Sequence, residues 1–349
     1  MDGSEAPSFA WGPILGKLVH RHDLDDAEVA DAMGTILRGE ADDIQIGAFL
    51  VALRTKGETV DELTALVRTA REFGDKVEVP GPLVDTCGTG GDRKGTFNIS
   101  TAAAFVAAGA GARVCKHGNR AASSDCGSAD VLEELGVVID LGPAGVARCI
   151  EEAGIGFCLA QRFHPAFRFA ATARTSLGIP TTFNFVGPLA NPAGVTRQAL
   201  GISDPAMAER MVGALQELGS TRALLFYGHD GLDELTTTTT SVVYELNGGV
   251  IDHYEIEPRD YGIERAEIGD LRGGSRGENA AITRRVLSGE TGPHRDIVVL
   301  NAAAALLAAD VAANFANAVG EAQASIDDGL AMERLDDLIR VSQAAAGDD

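Results

Sequence analysis

Two segments rich in glycine, small hydroxyl residues and cations flank an apolar run, and their residue types suit the binding of a polyanion. Glycines let backbone N–H groups approach phosphate oxygens, helix N-termini add partial positive charge, and Lys and Arg neutralise the rest. The sequence therefore predicts one large phosphorylated ligand held between two loops. The first segment is Gly88-Thr89-Gly90-Gly91-Asp92 with Asn98-Ile99-Ser100-Thr101, and the second is Lys116-His117-Gly118-Asn119-Arg120 with Ser123, Ser124 and Ser128.

The glycine turn at 88–92 has two interpretations when taken alone, a tight connector or a phosphate loop. It follows a predicted strand that begins at Leu83-Val84 and precedes a helix that Ser100 could cap, and this context favours phosphate. The chain has neither a Walker A motif nor a spaced GxGxxG, which disfavours ATP and dinucleotides. The cations at 116–120 have two interpretations. They are either solvated surface charges, or they bind two phosphate groups at the end of a strand.

Three further residue types could take part in chemistry. Asp233 and Glu234 are adjacent acids that are either solvated or ligands for a hard cation such as Mg²⁺, with the hydroxyl of Ser100 as a further oxygen donor. Arg174 lies in a mostly apolar helical segment, where it either reaches to solvent or pairs with a substrate carboxylate. His117 is interpreted as a structural hydrogen-bonding residue rather than a catalyst.

The elements that must position these residues follow from periodicity. Residues 13–75 show helical spacing throughout, with apolar stripes at Ile46, Leu50 and Leu53 and again at 60–70. Asp23 and Thr59 are predicted N-caps, and Thr59 has Glu62 three residues on as a capping box.

From Pro80 onward the pattern alternates between short apolar runs and helical runs, which predicts a parallel sheet with crossover helices. Strands are predicted at 83–84, 112–115, 137–141, 156–159 and 224–227, with a hairpin around Asn247-Gly248-Gly249. Helix and loop are predicted over 160–196, and helices over most of 279–345. Ligands of such sheets bind at the carboxyl ends of the strands, where both glycine clusters fall.

Composition excludes several function classes. The net charge of −22 disfavours nonspecific nucleic-acid binding. The five cysteines show no metal-ligand spacing and are expected to be reduced thiols. No secretory signal is expected in residues 1–10 and no membrane span anywhere. A cytoplasmic protein is therefore expected.

Long motifs of the chain resemble the anthranilate phosphoribosyltransferase family of tryptophan biosynthesis. They extend from GEADDIQIGAFLVALRTKGET at 39–59, through DTCGTGGD, FNIST, KHGNRAASS, GSADVLEELG, HPAFRFA, RTSLGIPTTFNFVGPLANPAG and DGLDELTTTTTS, to LSGETGPHRDIVVLNAAAAL at 287–306. The resemblance implies an α/β fold class, with a small all-helical domain beside a larger α/β domain whose mainly parallel central sheet is flanked by helices. We expect the helical domain at 10–78, with the helical segment 165–195 packed on it, and the α/β domain at 80–160 and 196–346. A homodimer through the helical domain is implied as well.

The resemblance also implies the reaction and its residues. The amine of anthranilate attacks C1 of 5-phosphoribosyl 1-diphosphate (PRPP) and releases diphosphate. Two Mg²⁺ per subunit are implied, one held by Ser100 and Glu234 and one by Asp233 and Glu234. Gly88, Asn119 and Arg174 would contact anthranilate, with His164 near the aromatic entry. The implied PRPP-binding residues are Gly88, Gly91, Asp92, Thr96, Asn98, Ile99, Ser100, Thr101, Lys116, His117, Gly118, Asn119, Arg120, Ala121, Ala122, Ser123, Ser124 and Ser128.

No side chain is predicted to act as nucleophile, acid or base, since positioning and electrostatic stabilisation of the leaving diphosphate suffice for this chemistry. Two rivals are weighed against this hypothesis. A nucleoside phosphorylase shares the architecture, but Asn119, the glycine turn and the Asp233-Glu234 pair disfavour it. A noncatalytic nucleic-acid-binding relative is disfavoured by the net charge of −22.

Overall fold

The computed structural model describes residues 9–121 and 126–347. Its N-terminal part is helical, and the turns between helices carry the caps. Asp25 caps the second helix through a reciprocal capping box with Glu28, and Thr59 caps the fourth in the same way with Glu62. The prediction for Thr59 is confirmed, whereas the cap predicted at Asp23 is wrong: Asp23 instead accepts a hydrogen bond from the Lys56 ammonium at 2.7 Å. The helices are α1 (Trp11–Val19), α2 (Asp26–Leu37), α3 (Asp43–Lys56) and α4 (Val60–Glu72).

A second stretch of helices joins this bundle. The predicted stripe of Ile46, Leu50 and Leu53 is fully buried, in one apolar cluster that also contains Ala173 and Phe183 from the later stretch. α9 packs on α3, and α10 packs on α4. This stretch comprises α8 (Ala160–Phe163), a 3₁₀ turn at Pro165–Ala170, α9 (Ala171–Leu177) and α10 (Phe183–Leu189).

Within the described residues the α/β part forms one seven-stranded sheet in the order β3-β2-β1-β4-β5-β6-β7. The first five strands along the chain pair in parallel, and the hairpin β6–β7 adds two antiparallel strands at one edge. The predicted fold class is therefore confirmed. The strands are β1 (Val84–Gly88), β2 (Val114–Gly118), β3 (Ile155–Leu159), β4 (Arg197–Gly201), β5 (Arg222–Gly228), β6 (Ser241–Asn247) and β7 (Val250–Ile256).

Helices cover both faces of the sheet, and α5 forms the centre of one face. α5 is almost entirely alanine and apolar residues, so α13 and α15 pack closely on it. No helix in the described ranges is both long and apolar enough to cross a bilayer. The helices of this part are α5 (Ile99–Gly109), α6 (Ser128–Leu135), α7 (Pro143–Ala153), α11 (Ala208–Glu217), α12 (Arg276–Leu287), α13 (Pro293–Ala308), α14 (Phe315–Asp327) and α15 (Leu330–Ala345).

Two strand assignments differ from the sequence prediction. Residues 137–141 form no strand: Val137, Ile139 and Leu141 are buried in alternation, but the backbone joins no ladder, and the Val138 N–H donates to the Ser342 hydroxyl at 3.0 Å. Conversely, β4 lies between β1 and β5 in the sheet and was not predicted.

Candidate active site

A cleft of about 1060 Å³ opens at the carboxyl ends of β1 and β2. Every predicted site residue within the described ranges lines it, although Ala122, Ser123 and Ser124 lie outside those ranges. The roles assigned to these residues stay predictions. The predicted residues that line the cleft are Gly88, Gly91, Asp92, Thr96, Asn98, Ile99, Ser100, Thr101, Lys116, His117, Gly118, Asn119, Arg120, Ala121, Ser128, His164, Arg174, Asp233 and Glu234.

The glycine turn and the acidic pair contact each other directly. The Gly90 N–H donates to the Asp233 carboxylate at 2.8 Å. A Cβ at Gly201, at the end of β4, would lie 1.6 Å from the Asp233 carbonyl oxygen, so only glycine fits there. The close approach of β4 therefore places residues 233–234 beside the turn at 88–92.

Ionisation of both members of the acidic pair is unfavourable at this position. Burial, and next the nearby Asp92 carboxylate, raise the pKa of Asp233 to about 7. Burial and the Asp233 carboxylate likewise raise the pKa of Glu234 well above its usual range. The Ser100 N–H donates to Glu234 Oε1 at 3.2 Å, which brings the N-terminus of α5 to the same point. A bound cation would relieve the repulsion between these carboxylates.

Lys116 supplies a buried positive charge at the floor of the cleft. Its side chain is only 3% exposed, and its ammonium donates to the Thr86 carbonyl and, at 3.2 Å, to the Ser100 hydroxyl. Burial lowers the pKa of Lys116, while the nearby carboxylates of Asp85 and Glu234 oppose that shift. A cation held here is poised for an anionic ligand beside the acidic pair.

Carboxylates of α6 hold the second loop through an ion pair and two backbone hydrogen bonds. The Arg120 guanidinium binds the Glu133 carboxylate through two nitrogens, one at 2.7 Å, and the carboxylate of Asp130 accepts from the backbone N–H groups of Ala121 and Gly127 at 2.9 Å each. These contacts hold the Arg120 side chain against α6.

The opposite wall is aromatic. The rings of His117 and His164 lie 5.3 Å apart between centroids, and Phe167 packs edge-on against both His164 and Phe183. Burial, and next the nearby His164, lower the pKa of His117 to about 3, so its imidazole is neutral at physiological pH. This wall suits a flat aromatic ring.

Arg174 ends this wall with a cation. Its guanidinium lies 5.9 Å from the centroid of Phe183, and burial lowers its pKa. No hydrogen bond or ion pair to the Arg174 guanidinium occurs among the described residues. A half-buried guanidinium of this kind favours a carboxylate supplied by a ligand, which is the second of the two interpretations given by the sequence.

Sequence reasoning missed Asn279, which comes from α12. Its Nδ2 donates to Asn98 Oδ1 at 3.0 Å, and its Oδ1 accepts from the Gly274 N–H at 2.8 Å. Asn279 and Gly274 both line the cleft, and no local motif marks either. Gln161 and Asn184 were missed for the same reason.

Two family models and a curated relative match nearly the whole chain. The model of the glycosyl transferase family helical bundle domain matches residues 12–74, and that of the family's a/b domain matches residues 80–332. The chain is 52% identical over 328 residues to a protein of Roseiflexus castenholzii named anthranilate phosphoribosyltransferase, covering 93% of this chain and 96% of that protein.

Solved structures of proteins with the same name are also similar. The enzyme of Thermus thermophilus superposes with a TM-score of 0.89 at 40% identity, covering 94% of this chain and 99% of that one. The enzyme of Saccharomyces cerevisiae in complex with PRPP and Mg superposes with a TM-score of 0.88 at 27% identity, covering 96% and 98%. The yeast enzyme has also been solved in complex with 4-fluoroanthranilate.

Proposed function

This chain belongs to the anthranilate phosphoribosyltransferase family, and from that premise we propose how its own cleft performs the family's reaction. The reaction transfers the 5-phosphoribosyl group of PRPP to the amine of anthranilate, giving N-(5-phosphoribosyl)anthranilate and diphosphate, in tryptophan biosynthesis. One observation supports the proposal above all: Lys116, Ser100 and Glu234, from three distant segments, meet at one point of the cleft.

The donor set fits magnesium. No group of three or more His, Cys, Asp or Glu side chains within residues 9–121 and 126–347 is arranged to hold a metal ion by itself. Mg²⁺ is commonly bound by one or two carboxylates together with substrate phosphates and water. The carboxylates of Asp233 and Glu234 and the hydroxyl of Ser100 are hard oxygen donors of that kind. We assign one ion to Ser100 and Glu234 and a second to Asp233 and Glu234.

We assign the two substrates to opposite ends of the cleft. The glycine turn at 88–92, the N-terminus of α5 and Lys116 hold the diphosphate sugar, and Mg²⁺ supplies further positive charge to the departing diphosphate. The wall formed by His117, His164 and Arg174 holds anthranilate with its amine toward C1. Positioning of two reactants in this way contributes roughly 7–11 kcal/mol to lowering the barrier. No side-chain nucleophile is needed.

Replacement of Arg174 with methionine is expected to raise the KM for anthranilate and to leave the KM for PRPP unchanged. A charge-assisted hydrogen bond to a carboxylate contributes about 1.5–3 kcal/mol, which is a roughly 12- to 140-fold change in KM. Steady-state kinetics with each substrate varied in turn measures both constants. Arg162→Met is the control, because this exposed arginine pairs with Asp75 on the surface. Equal KM values for anthranilate in R174M and wild type would refute the assignment.

Binding of magnesium and PRPP is expected to release protons from Asp233. Burial and the Asp92 carboxylate raise the pKa of this carboxyl to about 7, so near that pH about half of it is protonated. A cation stabilises the carboxylate and lowers its pKa, which expels the proton. Calorimetric titrations in two buffers of different ionisation enthalpy measure the release. Asp233→Asn should release fewer protons than wild type, and equal release by both proteins would contradict the prediction.

We also propose a homodimer formed through the helical part. Val19 on α1 and Ile44 on α3 are 71% and 82% exposed, and these two helices pack together. Contiguous exposed apolar surface marks protein–protein interaction sites. Light scattering after size-exclusion chromatography should give twice the monomer mass of 36.2 kDa. Ile44→Asp should shift the equilibrium toward monomer, and an unchanged mass would count against this surface.

Anthranilate fluorescence tests the proposed function directly. The emission of anthranilate should decay when the protein, PRPP and Mg²⁺ are all present. It should stay constant when PRPP or Mg²⁺ is omitted, or when inorganic phosphate and a pyrimidine nucleoside are added in place of PRPP. Nucleobase release with phosphate in place of this decay would support the nucleoside phosphorylase alternative instead.

A further inference from the structure

Strands β1 and β2 separate as they approach the cleft. They pair only at Val84 and Val114, whereas β1 stays paired with β4 as far as Gly88, and β2 stays paired with β3 as far as Gly118. The sheet is therefore forked directly beneath the ligand-binding loops. Backbone groups on both sides of the fork need other hydrogen-bond partners.

Side chains supply hydrogen bonds between β1 and β2 where the backbone ladder between these strands ends. The buried carboxylate of Asp85 accepts from the His117 N–H at 3.0 Å, and the Lys116 ammonium donates to the Thr86 carbonyl. Asp85 is 0% exposed and lies beneath the cleft, not in its wall. Two side chains therefore hold β2 to β1: the carboxylate of Asp85 on β1 and the ammonium of Lys116 on β2.

The second oxygen of the Asp85 carboxylate binds Asn191, which lies two residues after the end of α10. Asp85 Oδ2 accepts from Asn191 Nδ2 at 2.9 Å, and Asn191 also donates to the Cys115 carbonyl at 2.9 Å. The preceding residue, Ala190, accepts a 2.8 Å hydrogen bond from His164 Nε2 through its carbonyl. One carboxylate therefore reaches both imidazoles of the aromatic wall through short covalent and hydrogen-bonded paths.

We propose that Asp85 and Asn191 form a positioning pair that sets the separation of His117 and His164 and thereby the place of the acceptor ring. This inference rests on the proposed function, since it concerns the same cleft. Neither residue lines the cleft. A displacement of about 1 Å at a reacting centre can cost roughly 10²-fold in rate, which is why a buried pair outside the cleft wall matters.

Two isosteric substitutions break the pair from opposite sides. Asp85→Asn keeps one acceptor for the His117 N–H but turns an amide NH₂ toward the NH₂ of Asn191. Asn191→Asp keeps the acceptor for the Ala193 N–H but sets oxygen against oxygen at Asp85. Ser342→Ala is the matched control, because Ser342 is also fully buried and hydrogen-bonded, on α15 away from the cleft.

Imidazole ¹H–¹⁵N correlation spectra of the full chain, with kinetics and thermal melting of the same samples, test the proposal. Asp85→Asn and Asn191→Asp should both shift the resonances of His117 and His164. Both should also lower kcat roughly 10- to 100-fold at temperatures where melting shows the protein folded. Ser342→Ala should lower the melting temperature and leave both resonances and kcat within twofold of wild type.

The outcomes separate this inference from the proposed function. If both imidazole resonances stay in place in the two variants, or if kcat falls only as the folded fraction falls, the positioning role is overturned. If the wild-type protein fails to consume anthranilate, the proposed function fails, and the spectra still report whether the pair fixes the two histidines.

Discussion

Replacement of Glu234 with glutamine is expected to lower kcat by roughly 10²- to 10³-fold, the usual range for loss of one group that stabilises developing charge. Glutamine keeps an acceptor for the Ser100 N–H but loses the charge assigned to both metal ions. Because burial and Asp233 raise the pKa of Glu234, the charged form of this side chain is destabilised where it lies. The neutral variant should therefore melt no lower than wild type.

The control for this variant is Glu264→Gln, which changes a side chain that is 91% exposed. Kinetics at several Mg²⁺ concentrations, together with melting curves, distinguish loss of metal binding from loss of fold. Activity within threefold of wild type in the Glu234 variant would remove this residue from the metal site.

Replacement of Lys116 with methionine is expected to lower kcat/KM for PRPP by a similar factor, roughly 10²- to 10³-fold. Methionine fills about the same volume but removes the ammonium that donates to the Ser100 hydroxyl and the Thr86 carbonyl. The positive charge next to the assigned diphosphate position is then lost. The dissociation constant of PRPP, measured by calorimetry with Mg²⁺ present, should rise with it.

A second buried lysine provides the matched control. Lys56 is 3% exposed and pairs with Glu62, which is fully buried, in the helical part. Lys56→Met should destabilise the protein by about 3–5 kcal/mol, as expected when a buried ion pair loses one partner, with kcat/KM per folded molecule unchanged. If the Lys116 variant behaves like the Lys56 variant, losing stability but not PRPP affinity, its assigned role is wrong.

The sequence predicted which residues line the cleft because the loops that form it are local. The turn at 88–92 and the cations at 116–120 each follow a short apolar strand, and parallel strands bring their carboxyl ends to one edge. The position of the acidic pair at 233–234 was harder to infer. It depends on β4, whose residues Arg197–Gly201 include two long polar side chains and do not resemble a central strand.

The remaining differences between the sequence prediction and the structure have physical causes that local sequence patterns do not show. Val137, Ile139 and Leu141 alternate as a strand does, but alternation reports burial and not a ladder partner. Asp23 was chosen as a cap although Asp25 has the capping-box glutamate three residues on. Asp85 and Asn191 acquire their importance only through a contact between residues 106 positions apart.

In the proposed function, the two glycine-bearing loops and the acidic pair hold one metal-bound PRPP molecule. The most direct measurement is an anomalous difference map from crystals containing PRPP and Mn²⁺ in place of Mg²⁺. We predict metal peaks bound by Glu234, Ser100 and Asp233, with the diphosphate between the turn at 88–92 and Lys116. Metal and PRPP bound away from these residues would refute the assignment of this site.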